Sequence, residues 1–303
     1  MKEMGEKFLF TQLSEITKGM SSDQKYFAMT DKGVKYLIRV FDAKEYELKK
    51  AEFDRMKALN RAGIPMQEAI DFGVCNEGKS AYMILSWIEG VELEKALKKL
   101  NNTKRYQLGY ESGQILKKIH RVSVQTEQTG WYDRYFSIID ERLKAYENDD
   151  VTFEGDTLIR GYIEKYRNLI RNRPQCILHG DYHMGNMILM PNSRIGVIDW
   201  QTVDFDNFGD PWYEFNRIGI EYSSFASGQI DGYFNGNVPD EFWMIFIFYF
   251  TVSYFTSVVW AKYCAPEELE SIIKMNQKIL MDTDCFRLLI PNWYQKSEFT
   301  VLF

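Results

Sequence analysis

No two of the four cysteines, Cys75, Cys176, Cys264 and Cys285, stand in a C-x-x-C pair. Their scatter excludes a disulfide framework and a cysteine-pair zinc site, and it fits a reducing cytoplasm. Positive charge is not in excess either: 37 Lys and Arg stand against 43 Asp and Glu, a formal charge of −6. That balance argues against nucleic acid, which favours basic patches, and in favour of cationic ligands. There is no internal repeat, no low-complexity linker and no G-x-G-x-x-G loop. The opening MKEMGEKFLF has no long apolar run and predicts no signal peptide. One apolar run is long, Phe242 to Trp260, uncharged for 19 residues and nearly able to span a bilayer. It carries Thr251, Ser253, Thr256 and Ser257 and no basic flank on its N-terminal side. A fully buried helix of a large helical lobe is therefore expected, with no membrane partner. At 303 residues and 45% hydrophobic content, one large domain or two lobes can each bury a core.

What is present centres on Ile177–Trp200, ILHGDYHMGNMILMPNSRIGVIDW. It reads as a polar loop, a strand (187–190), a turn at Pro191, Asn192 and Ser193, a second strand (195–198), and then Asp199. A hairpin of this kind brings its ends together, so Asp181 and Asn186 are expected beside Asp199. Asn186 and Asp199 offer oxygen ligands to a hard cation such as Mg²⁺, which keeps waters and binds phosphate oxygens. Asp181 would orient an attacking hydroxyl and accept its proton. These are the parts that phosphoryl transfer needs. His179 and His183 read as loop braces, and His120 as a structural histidine.

Earlier in the chain, Lys18–Asp23 is a small polar turn between strand-like runs, and such a tip can lay N–H groups over phosphates. Lys35–Phe41 reads as a strand with Lys35, Leu37, Arg39 and Phe41 on one face. A helix is predicted from about Lys44 to Arg61, with Leu48, Glu52, Met56 and Leu59 as its apolar stripe. A carboxylate on such a stripe needs a partner, and Arg39 is the candidate for Glu52. Strands follow at 69–74 and 80–85, and from Leu93 onward the pattern is helical.

His179, Asp181 and Asn186 resemble the H-x-D-x-x-x-x-N catalytic loop of kinases, and Asp199 stands where the aspartate of Asp-Phe-Gly stands. With His-Gly-Asp in the loop and Ile-Asp-Trp at the second aspartate, the chain resembles the aminoglycoside phosphotransferase and choline kinase family. Gly209-Asp210-Pro211 follows the metal aspartate as it does in that family. The resemblance implies an α+β, two-lobed protein-kinase-like fold. Residues 1–85 would form a small antiparallel-sheet N-lobe with one helix, 86–90 a hinge, and 91–303 a large, mainly helical C-lobe. It places Ser21 and Ser22 over the phosphates, and Ser86 and Ile88 against the purine. Arg39, steadied by Glu52, takes the place of the kinase lysine on the phosphates, with Lys35 as the rival cation. The implied activity is transfer of a γ-phosphoryl group from ATP or GTP, with Mg²⁺, to the hydroxyl of a small molecule. An aminoglycoside leads; choline, ethanolamine, homoserine or a sugar would use the same machinery. Asp204, Asp206 and Glu214 would suit an amine-bearing acceptor, or would form an acidic loop facing water. A nucleotide-binding regulatory module with little catalysis is the reading from a different class. No Ala-Pro-Glu segment follows Asp199, which counts against a protein kinase.

Overall fold

The alternation at residues 35–41 forms a strand, and its two faces bury different things. In the computed structural model, which describes residues 8–17, 23–123, 130–200 and 207–296, three strands come first: β1 (Phe10–Ile16), β2 (Gln24–Thr30) and β3 (Lys35–Asp42). They are followed by α1 (Tyr46–Arg61), β4 (Ala69–Cys75) and β5 (Ser80–Ser86). The sheet runs β1-β2-β3-β5-β4, antiparallel throughout, with Arg39 opposite Lys25 on one side and Met83 on the other. Ile38 and Val40 enter a core with Ala28, Cys75, Tyr82 and Ile84. The other face carries Arg39 and Phe41 toward α1, where Phe72 meets Phe41 and Phe53 at ring separations of 6.0 and 5.4 Å.

The predicted stripe of α1 is corrected in one place. Leu48 is 49% exposed, while Lys49, Glu52, Phe53, Met56 and Leu59 are buried. In the first turn Lys49 takes the buried place of Leu48, because there its ammonium reaches a carboxylate, as described below.

Next come β6 (Val91–Glu92), α2 (Leu93–Leu97), α3 (Asn102–Ile119), α4 (Trp131–Glu147), α5 (Asp156–Tyr166) and β7 (Cys176–Ile177). The expected hairpin is β8 (Met187–Leu189) and β9 (Ile195–Val197), with Met187 opposite Val197 and Ser193 at φ +62° in its turn. It forms a separate three-stranded sheet, β6-β8-β9, within the N-terminal unit, where Val197 donates to Pro65 O at 2.8 Å. By contacts the chain forms two compact units, Met1–Leu93 with Met187–Gln201, and Glu94–Asn186 with Thr202–Phe303.

The second unit also contains β10 (Phe208–Gly209), a 3₁₀ helix (Pro211–Arg217), α6 (Ser223–Phe234), α7 (Asp240–Cys264) and α8 (Leu269–Asp282). α3 and α6 touch backbone to backbone. A Cβ on Gly113 would lie 2.0 Å from Gln229 O, so only glycine permits this approach. The expected buried helix is α7, apolar on all sides. It is the one helix among the described residues long and apolar enough to cross a membrane, and most of it is buried inside the unit. Its Phe248, Tyr249, Val252 and Phe255 pack with Trp131, Tyr135 and Phe136 of α4. His120 lies in this unit as a structural residue, its Nδ1 2.9 Å from the Tyr233 hydroxyl, and burial pushes its imidazole pKa down to about 3.

Candidate active site

Each unit carries its own part of the predicted machinery. In the helical unit, the loop between β7 and Asn186 is built on buried braces. His179 is buried, and its Nδ1 accepts the Asp181 N–H at 3.3 Å. Gly180 has a φ of +91°, a region that favours glycine and suits the His-Gly-Asp form of the loop. Asn207 Nδ2 donates to His179 O at 2.7 Å, and the Asn207 carbonyl accepts from Leu178 N at 2.8 Å. The Tyr182 hydroxyl donates to Ser112 O at 2.8 Å, tying the loop to α3.

Both carboxylate oxygens of Asp181 have partners. Asn186 Nδ2 donates to Asp181 Oδ2 at 2.9 Å and to the Asp181 carbonyl at 3.0 Å, and His183 Nε2 lies 3.3 Å from Oδ2. Oδ1 is met by Arg217 Nη1 at 3.4 Å, from a side chain 53% exposed. Burial works to raise the Asp181 carboxyl, but the His183 hydrogen bond and charge, then Arg217 and His179, outweigh it and leave it at about 2. The side chain is thus an ionised, part-exposed carboxylate at neutral pH. The structure brings Asp181 and Asn186 together in this way. With the Asn186 Nδ2 committed, the acceptor atom left on that amide is Oδ1, the kind of atom a hard cation takes. Among the described residues no group of three or more His, Cys, Asp or Glu side chains could hold a metal alone. An ion here would have to complete its shell from phosphate oxygens and water, as Mg²⁺ does.

Glu214 departs from its expected place. It is buried, and its Oε1 accepts the Gly180 N–H at 3.0 Å. Burial raises its carboxyl to about 7; the N–H groups of Gly180, His179 and Tyr182 pull it down, and the Asp181 charge adds to the rise. It supports the loop from beneath, where an amine-bearing acceptor would not meet it. Asp204 and Asp206 lie outside the described residues, as do Ser21 and Ser22. Asp210 caps and braces: Oδ1 accepts Trp212 N at 3.0 Å, and Oδ2 accepts the Tyr249 hydroxyl and Arg173 Nε, each at 2.9 Å.

In the sheet unit, Arg39 and Glu52 meet, Nη1 to Oε1 at 2.6 Å. Two further residues, which periodicity did not reveal, complete the cluster. Arg39 Nε donates to Asp23 Oδ2 at 2.8 Å, Nη2 donates to the same oxygen, and Lys49 Nζ donates to it at 3.0 Å. Lys49 also lies 4.0 Å from Glu52 Oε2. The only signals in sequence were Lys49 three residues before Glu52 on the helix and an aspartate closing the 18–23 turn. Burial opposes charge at Arg39, yet Glu52 and Asp23 outweigh it and raise its pKa further. Lys35 is engaged elsewhere, in an ion pair with Glu89.

At the end of β5, the Ser86 N–H is already given to Glu68 O at 2.9 Å, and its hydroxyl accepts Glu68 N at 2.8 Å. The Ser86 N–H thus closes the end of the strand. The Ile88 side chain lies against Gly196, and a Cβ there would be 3.0 Å from Ile88 Cγ2. Asp199 follows β9 with a φ of +65°, a left-handed backbone that aspartate tolerates better than most residues.

Solved structures share this fold at low identity. A thermostable mutant of aminoglycoside phosphotransferase APH(4)-Ia aligns with a TM-score of 0.66 at 18% identity, over 92% of this chain and 98% of that one. The amicoumacin kinase hAmiN, in complex with AMP-PNP, Ca²⁺ and Ami, aligns at 0.60 and 15%, over 90% and 89%. A choline/ethanolamine kinase family protein from Mesorhizobium loti aligns at 0.63 and 14%, over 92% and 91%. None of the curated proteins matches by sequence. The sequence profile of the phosphotransferase enzyme family matches residues 12–244, more than half of the chain. This chain belongs to the phosphotransferase enzyme family.

Proposed function

We propose that the protein is a small-molecule kinase that moves the γ-phosphoryl group of ATP or GTP to a substrate hydroxyl, with an aminoglycoside as the leading acceptor. The observation that carries this reading is Asp181. Its Oδ2 is fixed by Asn186, Oδ1 is met by the half-exposed Arg217, and the carboxylate itself is part-exposed. A carboxylate so held orients a hydroxyl and takes its proton as the oxygen attacks phosphorus. Asn186, through Oδ1, and Asp199 would hold Mg²⁺. When bound, the ion would neutralise the phosphate charge. Arg39, kept in place by Glu52, binds phosphate in this reading. The Ser86 carbonyl and the Ile88 backbone face the purine, and residues 86–90 serve as the hinge between residues 1–85 and 91–303.

Aminoglycoside phosphotransferases among the similar folds support the leading acceptor. The choline/ethanolamine kinase relative keeps a metabolic alcohol as the second reading. The net negative charge suits a cationic acceptor in both cases. A reducing cytoplasm is the proposed location, in keeping with the lack of any disulfide among the described residues.

The deciding experiment measures release of nucleoside diphosphate by the purified protein. ATP and GTP are each offered, with and without Mg²⁺, to a panel of aminoglycosides, choline, ethanolamine and homoserine. Stimulation by one acceptor names the substrate class and the donor. Nucleotide binding with no stimulated release moves the reading to a regulatory module, and absence of both refutes the assignment of Asp181, Asn186 and Asp199.

A further inference from the structure

Arg39 is 3% exposed, Asp23 7%, Lys49 7% and Glu52 1%. Two cations and two carboxylates thus form a neutral, buried quartet between β2, β3 and α1. In it the Nε/Nη2 edge of Arg39, the fork that suits bidentate phosphate, is spent on Asp23. The Asp23 carboxyl is held below its ordinary range: burial pushes it up, and Arg39 with Lys49 more than reverses that. Both N–H groups of that edge converge on Asp23 Oδ2, an anionic acceptor of the same charge sign as a phosphate oxygen.

We propose that Asp23 is a further residue of the nucleotide site. It acts as an internal stand-in for phosphate that holds Arg39 and Lys49 until Mg·nucleotide displaces it. This rests on the reading of Arg39 as the phosphate-binding cation. It also accounts for arginine where a kinase has lysine. Arginine offers separate N–H groups to Glu52 and to Asp23 at once, so the link to α1 survives when the Asp23 edge is handed to a phosphate. A lysine has one nitrogen to share between both partners. The cost of displacing Asp23 is charged against nucleotide affinity, because only the fraction of molecules with a released Arg39 edge binds phosphate.

The test is calorimetric titration of the full chain with Mg·ADP and, separately, with adenosine. If the Asp23-bound form holds about nine-tenths or more of the molecules, Asp23→Asn tightens Mg·ADP by about tenfold or more. Adenosine, which has no phosphate, binds the two proteins alike, and adding Arg39→Met to Asp23→Asn abolishes the gain. Equal or weaker Mg·ADP binding by a folded Asp23→Asn protein overturns the proposal and leaves Asp23 as a brace, with the kinase reading intact. No Mg·ADP binding by the wild-type protein overturns both. Should Asp23→Asn fail to fold, the Arg39 Nε–H resonance of the wild-type protein decides. A shift on adding Mg·ADP but not adenosine supports displacement, and an unmoved resonance in the nucleotide-saturated protein refutes it.

Discussion

Glu214 Oε1 accepts the backbone N–H of Gly180 at 3.0 Å, so a buried carboxylate stands directly under the loop that carries Asp181. Its folded-state pKa of about 7 lies above the ordinary 4.5. Between those values the folded protein binds the proton more readily than the unfolded chain does. The stability from this group is therefore fully present below about pH 4.5 and is lost as pH rises through about 7. Glu214→Gln keeps an acceptor for Gly180 but does not titrate. Thermal melts from about pH 5 to 8 should show the wild type losing stability relative to this variant. Parallel curves would contradict the assignment.

Asp181 is ionised at neutral pH and part-exposed. Asp181→Asn preserves the shape of the loop and removes the proton acceptor. Turnover should fall by about 10²- to 10⁴-fold, while the dissociation constant for Mg·nucleotide stays nearly unchanged. Steady-state rates paired with titration calorimetry check this, and a variant turning over at the wild-type rate would refute the role.

The left-handed backbone at Asp199 is open to asparagine, so Asp199→Asn should fold normally. Loss of the charge should weaken nucleotide binding by about tenfold or more in the presence of Mg²⁺ and leave metal-free binding unchanged. Calorimetry with and without chelator separates the two, and equal losses in both would show that Asp199 is not a metal ligand.

Removing Arg39 strands Asp23 and Glu52 in a buried setting with Lys49 as the remaining cation. Arg39→Ala should cost about 3–5 kcal/mol, the usual penalty for breaking a buried ion pair from one side. Arg39→Lys should lose less, because charge is kept while the fork is gone. Urea unfolding midpoints rank the three proteins.

The α3–α6 contact leaves no space for a methyl group at Gly113. Gly113→Ala must push the helices apart and should cost about 1–3 kcal/mol or more, despite the higher helix propensity of alanine. A variant as stable as the wild type in denaturant would show that the helices slide freely.

Local pattern carried much of the architecture. Alternation at 35–41 marked β3, the apolar run at 242–260 marked α7, and Pro191–Ser193 between short apolar runs marked the β8–β9 hairpin. Asn186 next to Asp181 and Glu52 opposite Arg39 were legible for the same reason, since spacing within a loop or on a helix face fixes direction. Periodicity does not say which charged neighbour a helix buries. Leu48 and Lys49 fit a stripe about equally well, and the ion pairs of the quartet chose Lys49.

The amino-acid order by itself determined the strands, the helices and the family motif, because these depend on residues a few positions apart. Only the tertiary structure decided which polar groups are withdrawn from water and onto what. Asp23 reaches Arg39 across 16 positions and Glu214 reaches Gly180 across 34. Such long-range pairings are selected by the need to satisfy every buried charge and N–H at once, a condition that exists only after the chain has packed.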